Sequence, residues 1–168
     1  MGLFYLLLII FLFLIFFALL PLFFFWGAIY LPTKKDTVKK MIELAEIKPG
    51  EKAVDLGAGD GRLVIALAKS GVKAHGYEIN PFLVLFAKLN IHRAGLKDKA
   101  FIHFKNFWEV NLSDFDIVAV FGISHIMEKL EAKLKKELKV GTRIISNSFS
   151  FPGWSASKKD GGVYLYKI

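Results

Sequence analysis

Cysteine is absent from all 168 residues. That removes disulfide bridges, thiolate metal sites and cysteine nucleophiles at once. Charge is missing from the amino-terminal stretch, where no Asp, Glu, Lys, Arg or His precedes Lys34. Acids are the minority charge, 15 against 23 Lys and Arg, which leaves a formal net charge of +8, all of it beyond that stretch. The four histidines, His75, His92, His103 and His125, are scattered and show no paired ligand spacing, so no metal centre is expected.

Phe, Leu and Ile fill the uncharged start. A helix crossing the hydrocarbon core needs about 20 apolar residues, and the run before Lys34 is longer than that. It has no basic leading region and no small-residue cleavage site, and it is too long for a signal peptide. Leu6 stands where a myristoylation signal requires Ser or Thr. A core helix this apolar on every side would need a large protein around it. The expectation is one transmembrane helix over residues 1–31. Pro21 either kinks it or marks its exit from the hydrocarbon, and Trp26 and Tyr30 are placed for the interfacial belt. Lys34, Lys35, Lys39 and Lys40 follow directly, so the positive-inside rule puts the remaining domain, residues 32–168, in the cytoplasm. Its basic surplus then lies close to an anionic lipid face. No base-reading motif is present, and nucleic acid is not expected as a partner.

Beyond the membrane run the periodicity alternates. An amphipathic helix over Thr33–Ile47 carries Val38, Met41, Ile42 and Ala45 on one face, and Pro49-Gly50 ends it. Strands are expected at Ala53–Leu56, Val72–Glu78, Ala100–Lys105, Asp116–Phe121 and Arg143–Ser148. Helices are expected at Gly61–Ser70, Pro81–Ala94 and Ser124–Leu138. Asn80-Pro81 is a helix start, and Gly71, Gly95 and Gly141 are helix stops. This order predicts a mostly parallel sheet with helices on both faces. A last strand, Val163–Tyr166, is expected as an antiparallel or edge addition. No helix is evident between the last two strands.

The richest motif is Val54-Asp55-Leu56-Gly57-Ala58-Gly59-Asp60-Gly61-Arg62, a strand end, a glycine turn and a helix start. A dinucleotide fingerprint would place its third glycine at position 62, where Arg62 stands. Asp55 and Asp60 set two carboxylates beside the turn, which suits a cationic ligand better than a diphosphate. The pattern resembles the S-adenosylmethionine loop of class I methyltransferases. Ligands of open α/β sheets bind beyond the carboxyl ends of strands. The other such ends are Glu78, suited to ribose hydroxyls, Asn106-Phe107-Trp108, with Asn106 suited to an adenine edge, and Phe121-Gly122-Ile123-Ser124-His125. Gly122 would admit a close substrate approach. Phe149, Phe151 and Trp154 either wall a substrate channel, dip towards the membrane or close the core. Lys129, Lys133, Lys135 and Lys136 read as a solvated helix face.

The chain is similar to the membrane-anchored protein-lysine methyltransferases related to the ATP synthase c-subunit and adenine nucleotide translocase lysine methyltransferases. The likeness rests on Tyr30-Leu31-Pro32-Thr33, the glycine loop, Gly76-Tyr77-Glu78-Ile79-Asn80-Pro81, Phe107-Trp108, Val120-Phe121-Gly122 and Phe149-Ser150-Phe151-Pro152-Gly153-Trp154. It implies a Rossmann-like class I fold with S-adenosylmethionine held by Asp55, Gly57, Ala58, Gly59, Glu78, Ile79, Asn106, Phe107 and Phe121. Tyr30, Pro32 and Thr33 would close over its methionine end. Asn106 departs from the Asp that many class members carry. The resemblance also implies a lysine acceptor on a protein at or near the bilayer. No catalytic base is assigned, Ser124, His125 and Trp108 being the side chains considered. Two other readings stay open: a methyltransferase acting on a lipid or quinone, and a non-catalytic membrane-tethered nucleotide-binding module. A nicotinamide dehydrogenase is disfavoured by Arg62.

Overall fold

The computed structural model describes residues 2–25 and 30–168, with side chains of 19–25 left aside. The chain divides into two compact units, Met1–Leu31 and Pro32–Ile168.

The first unit holds helix α1, Gly2–Phe25, which runs through Pro21 and contains no charged residue. Its described side chains, residues 2–18, are all exposed. Among the described residues no helix is long and apolar enough to cross a membrane. The expected transmembrane helix over residues 1–31 therefore has no counterpart among the described residues. The placement of Trp26 falls outside the described residues.

The second unit is a three-layer α/β sandwich. Its elements are α2 (Lys35–Leu44), β1 (Lys52–Leu56), α3 (Arg62–Lys69), β2 (Lys73–Glu78), α4 (Pro81–Arg93), β3 (Ala100–Phe104), a 3-10 turn at Phe107–Glu109, β4 (Ile117–Val120), α5 (Ser124–Glu137), β5 (Arg143–Asn147), β6 (Lys158–Asp160) and β7 (Val163–Lys167). Strand order is β3-β2-β1-β4-β5-β7-β6. The first five strands run parallel, and β7 and β6 are antiparallel additions. This is the mostly parallel sheet with helices on both faces expected from the alternation, and the Rossmann-like arrangement that the resemblance implies. The predicted elements agree with it to within one or two residues, except that α2 stops at Leu44, ahead of Pro49-Gly50. Glu46 takes a positive φ of 49° there, and the carbonyls of Ala45 and Glu46 accept from Arg143 of β5.

Alternation along the strands splits the core. Ala53, Ala74, Ala100, Ile117, Ala119 and Ile145 face α2, α3 and α4 in one cluster. Val54, Leu56, Val118, Val120, Ile144 and Tyr166 face α5 and the Val110–Phe115 segment in the other. Small alanines on the first face let three helices sit close to the sheet. Strand order reverses between β1 and β4, so the crevice beyond their carboxyl ends is the topological switch point.

Candidate active site

The glycine turn opens at that switch point. Gly57, Gly59 and Gly61 have φ of +88°, +54° and +79°, so left-handed glycines reverse the chain from β1 into α3. That backbone region strains any residue with a Cβ. The N–H groups of Gly57 and Ala58 both donate to the Tyr77 carbonyl at 3.0 Å, which binds the turn to the end of β2. Gly76 seats this joint: a Cβ there would lie 2.6 Å from Ala58 Cβ and 2.8 Å from Val64 Cγ2 and Ile102 Cδ1. At Gly57 the reverse holds, since an added Cβ would meet nothing within 4 Å. The turn is thus packed on its sheet side and open on the other.

Two buried carboxyl groups stand at this opening in different states. Glu78 Oε1 accepts N–H groups of Ile79 and Asn80 at 2.9 and 2.8 Å, and Oε2 accepts from Gly59 at 2.9 Å. A carboxylate offers about four acceptor positions, so one remains on Oε2 for a ligand hydroxyl. Asp55 is only 5 % exposed, and among the described residues no hydrogen-bond donor reaches its carboxyl group. Burial, followed by repulsion from Glu78 and Asp60, raises its pKa to about 7. A mostly buried acid that no donor meets can receive a cationic or N–H-bearing ligand group, which would draw it back to the ionised form.

Asp60 does not join it. Arg62 Nε and Nη2 hold the Asp60 carboxylate at 3.0 and 2.8 Å, so the acid expected beside the cationic ligand is already neutralised. Arg62 Nη1 also donates to the Thr33 carbonyl at 2.7 Å, and Asn90 Nδ2 of α4 donates to the Asp60 carbonyl at 3.0 Å. The turn, the start of the second unit and α4 are therefore laced together. The one sequence signal for this is an arginine where a dinucleotide loop has glycine. Pro32 is exposed beside Thr33, and Tyr30, 42 % exposed, belongs to the first unit.

The remaining strand ends complete the rim. Asn80 caps α4, its Oδ1 accepting from Phe82 and Leu83, with Pro81 at the first helical position. Ile79, 38 % exposed, projects beside Glu78 as an apolar surface for a flat ring. Asn106 Oδ1 accepts the Trp108 N–H at 3.2 Å, so the amide Nδ2 is the group left to meet a ring edge. Phe107 and Trp108 lie 4.9 Å apart, and Lys129 Nζ sits 4.7 Å above the Trp108 ring. Phe121 and Phe149 face each other at 6.3 Å across the ends of β4 and β5, and Ser146 Oγ donates to the Phe149 carbonyl.

Several sequence expectations change at this end. At Gly122 the side-chain position is already filled, since a Cβ there would lie 2.5 Å from Met127 Sδ; its lack of a side chain serves packing against α5. Ser124 and His125 are exposed, and neither side chain hydrogen-bonds a described residue, so no oriented base pair forms there. Phe151 is buried against Tyr166 and Trp154, which makes it core closure, while Phe149 alone stays at the rim. The α5 lysines are not simply solvated. Lys133 donates to Val110 O and Glu137, and Lys135 donates to Glu131 and Gly153 O. Nor are all histidines apart: His75 Nδ1 lies 3.0 Å from His103 Nε2 across β2 and β3. Burial first, then neighbouring positive charge, lowers both pKa values.

Residues 55–158 match the family described as the ANTKMT methyltransferase domain. A protein-lysine N-methyltransferase of Saccharolobus islandicus (strain REY15A) is 39 % identical over 149 residues, covering 83 % of this chain and 92 % of its own length. The adenine nucleotide translocase lysine N-methyltransferase of Mus musculus is 41 % identical over 126 residues and covers 74 % of this chain, which spans only 55 % of that relative. Among solved structures, an RNA methyltransferase from Salinibacter ruber in complex with S-adenosyl-L-homocysteine superposes with a TM-score of 0.79 at 31 % identity, over 82 % of this chain and 94 % of its own.

Proposed function

The chain belongs to the ANTKMT methyltransferase domain family, and from that premise we propose that it transfers a methyl group from S-adenosylmethionine to a lysine side chain of a membrane or membrane-associated protein. The observation that carries the cofactor assignment is the contrast at the glycine turn. Gly57 is open where a Cβ would stand, Glu78 is held by three N–H groups with one acceptor position to spare, and Asp55 is buried without a donor among the described residues. These suit a ligand with a close-approaching chain, ribose hydroxyls and a positive or N–H-bearing end. S-adenosylmethionine supplies a methyl group already activated on a sulfonium. Asp55 takes the charged end, Glu78 the hydroxyls, and Ile79 with Asn106 Nδ2 the ring.

In-line methyl transfer asks mainly for alignment. The acceptor amine must be neutral, and a desolvated setting lowers a lysine pKa without a dedicated base. The facing rings of Phe121 and Phe149 provide such an apolar wall at the switch point. Exposed Ser124 and His125 are unnecessary to that chemistry.

The uncharged amino-terminal stretch anchors the chain as a single-pass membrane protein, with Lys34, Lys35, Lys39 and Lys40 placing the domain on the cytoplasmic side. Supporting this are the 24 uncharged residues of helix α1 and the lack of any charged side chain before Lys34. Anchoring raises the effective concentration of lysines near the bilayer surface.

The test is to incubate the full chain with native membranes and methyl-labelled S-adenosylmethionine, then map the labelled peptide. Label on a lysine, lost in Glu78→Ala, is the expected result. Label confined to the lipid extract or to RNA would overturn the lysine assignment.

A further inference from the structure

Helix α4 is apolar on the side that faces away from the sheet as well as on the side that faces it. Val84, Ala87 and Ile91 are buried against the sheet. On the opposite side Leu85, Phe86 and Leu89 are 56, 54 and 41 % exposed. Spaced i, i+1 and i+4, they form one patch, with Lys88, His92 and Arg93 exposed on its flank and at its end. A surface helix ordinarily carries polar residues on its outer side, and one that is apolar all round has both sides covered. Among the described residues, no other part of the second unit covers this face.

A second observation says where the patch lies. Asn90, next to Leu89 in sequence, holds the Asp60 carbonyl at 3.0 Å. Asp60 is paired with Arg62, and Arg62 holds the carbonyl of Thr33 at 2.7 Å. Thr33 is the last residue before the Lys34-Lys35 pair and lies two residues after the end of the first unit. The middle of α4 is therefore tethered beside the point where the chain leaves its uncharged amino-terminal stretch.

We propose that the outer face of α4 is a bilayer-docking surface: Leu85, Phe86 and Leu89 enter the headgroup–acyl boundary, and Lys88, His92, Arg93 and the Lys34–Lys40 cluster meet anionic headgroups. Large aliphatic and aromatic side chains on one face with cations beside them are the pattern of helices that lie in the interface, and each juxtamembrane cation adds to the attraction. The amino-terminal ends of α3 and α4 flank the glycine turn, so the cofactor crevice opens close to the lipid surface and selects lysines a short distance above it. The inference rests on the membrane-anchored reading of the amino-terminal stretch.

The absence of cysteine makes the test clean. Phe86→Cys, Leu89→Cys and, as a reference, Val140→Cys at a 90 % exposed loop position are labelled with an environment-sensitive fluorophore in the full chain. The labelled chains are reconstituted into phosphatidylcholine vesicles containing phosphatidylglycerol and a doxyl-labelled lipid. The expected result is blue-shifted emission and several-fold stronger lipid quenching at positions 86 and 89 than at 140, weakened when phosphatidylglycerol is omitted. If the chain stays with the vesicles through an alkaline wash but positions 86 and 89 are quenched from water as readily as 140, α4 docking is wrong and the anchor stands. Blue-shifted emission at 86 without lipid quenching means that protein covers the face, and this too overturns the proposal. If the chain does not stay with the vesicles, the anchor reading fails and docking fails with it.

Discussion

Replacing Asp55 with Asn separates what folding wants from what the ligand wants. Moving a carboxyl pKa from 3.8 to about 7 expresses a preference of about 4 kcal/mol for the protonated form, at 1.36 kcal/mol per pH unit. The folded pKa is raised, so the protonated group's contribution is complete below pH 3.8 and is lost as pH rises towards 7. In that window the folded chain binds a proton that the unfolded chain has released, and stability falls by about 1.4 kcal/mol per pH unit on this account. Asn keeps the shape and removes the titration. Asp55→Asn should therefore be more stable than the parent above pH 7 without ligand, by up to about 4 kcal/mol, and should flatten the pH dependence between pH 4 and 7. The same substitution should weaken S-adenosylmethionine binding, because the ligand's charged end loses its counter-charge. Urea unfolding at pH 5 and pH 8, in the detergent used for purification, reads the first effect. Calorimetry in two buffers of different ionisation enthalpy reads the second, since the parent should release a proton from Asp55 on binding near pH 6.5 and the variant should not. Equal stability of parent and variant at pH 8, together with proton release unchanged by the substitution, would refute the account of Asp55 as a strained acid awaiting a cation.

Three further substitutions probe the surroundings. Glu78→Ala removes the acceptor of three N–H groups and the proposed partner of the ribose hydroxyls; a loss of about 2–3 kcal/mol in binding, or roughly 30- to 150-fold in Kd, should appear in titration calorimetry. Gly122→Ala pushes a methyl group to within 2.5 Å of Met127 Sδ and should lower stability by about 1–3 kcal/mol as an overpacked site, with recovery in the double variant Gly122→Ala/Met127→Ala on thermal unfolding. Glu131→Ala removes the acceptor of the Gly153 N–H and leaves Lys135 only the Gly153 carbonyl and should cost about 1–3 kcal/mol, reported by the melting temperature and by a red shift in Trp154 emission; an unchanged melt would show that this clamp contributes nothing.

The parts of this structure that can be read in advance are those encoded by neighbouring residues. Asn80-Pro81 specifies a helix start because cap and ring act on the same turn, and the structure has both. The glycine turn and Glu78 lie within about two dozen residues of each other, and strand-to-helix geometry alone brings them together. Strand β6, Lys158–Asp160, escapes a sequence reading because its three residues are all charged and all exposed, so no alternation marks it. The Asp60–Arg62–Thr33 link escapes as well, because charge alone favours a cationic ligand beside Asp60. Only the fold reveals that Arg62 turns back on the acid two residues before it.

The acceptor end follows a different rule. Phe121 and Phe149 meet across the carboxyl ends of β4 and β5, and Ser146 positions Phe149 through its carbonyl. No short motif contains these residues, and an apolar wall is chemically indistinguishable in sequence from core. Gly122 illustrates the cost: the residue type that signals close ligand approach also permits close helix packing, and the position of Met127 decides between them. Cofactor recognition needs specific acceptors and donors, which leave a signature. Accepting a methyl group needs a dry, aligned passage for a neutral amine, which any well-placed aromatic pair can supply. In such a site specificity shifts from the chemistry of a base to the position of the whole domain, and the apolar patch of α4, tied through Asn90 to the start of the domain, is the element placed to set that position.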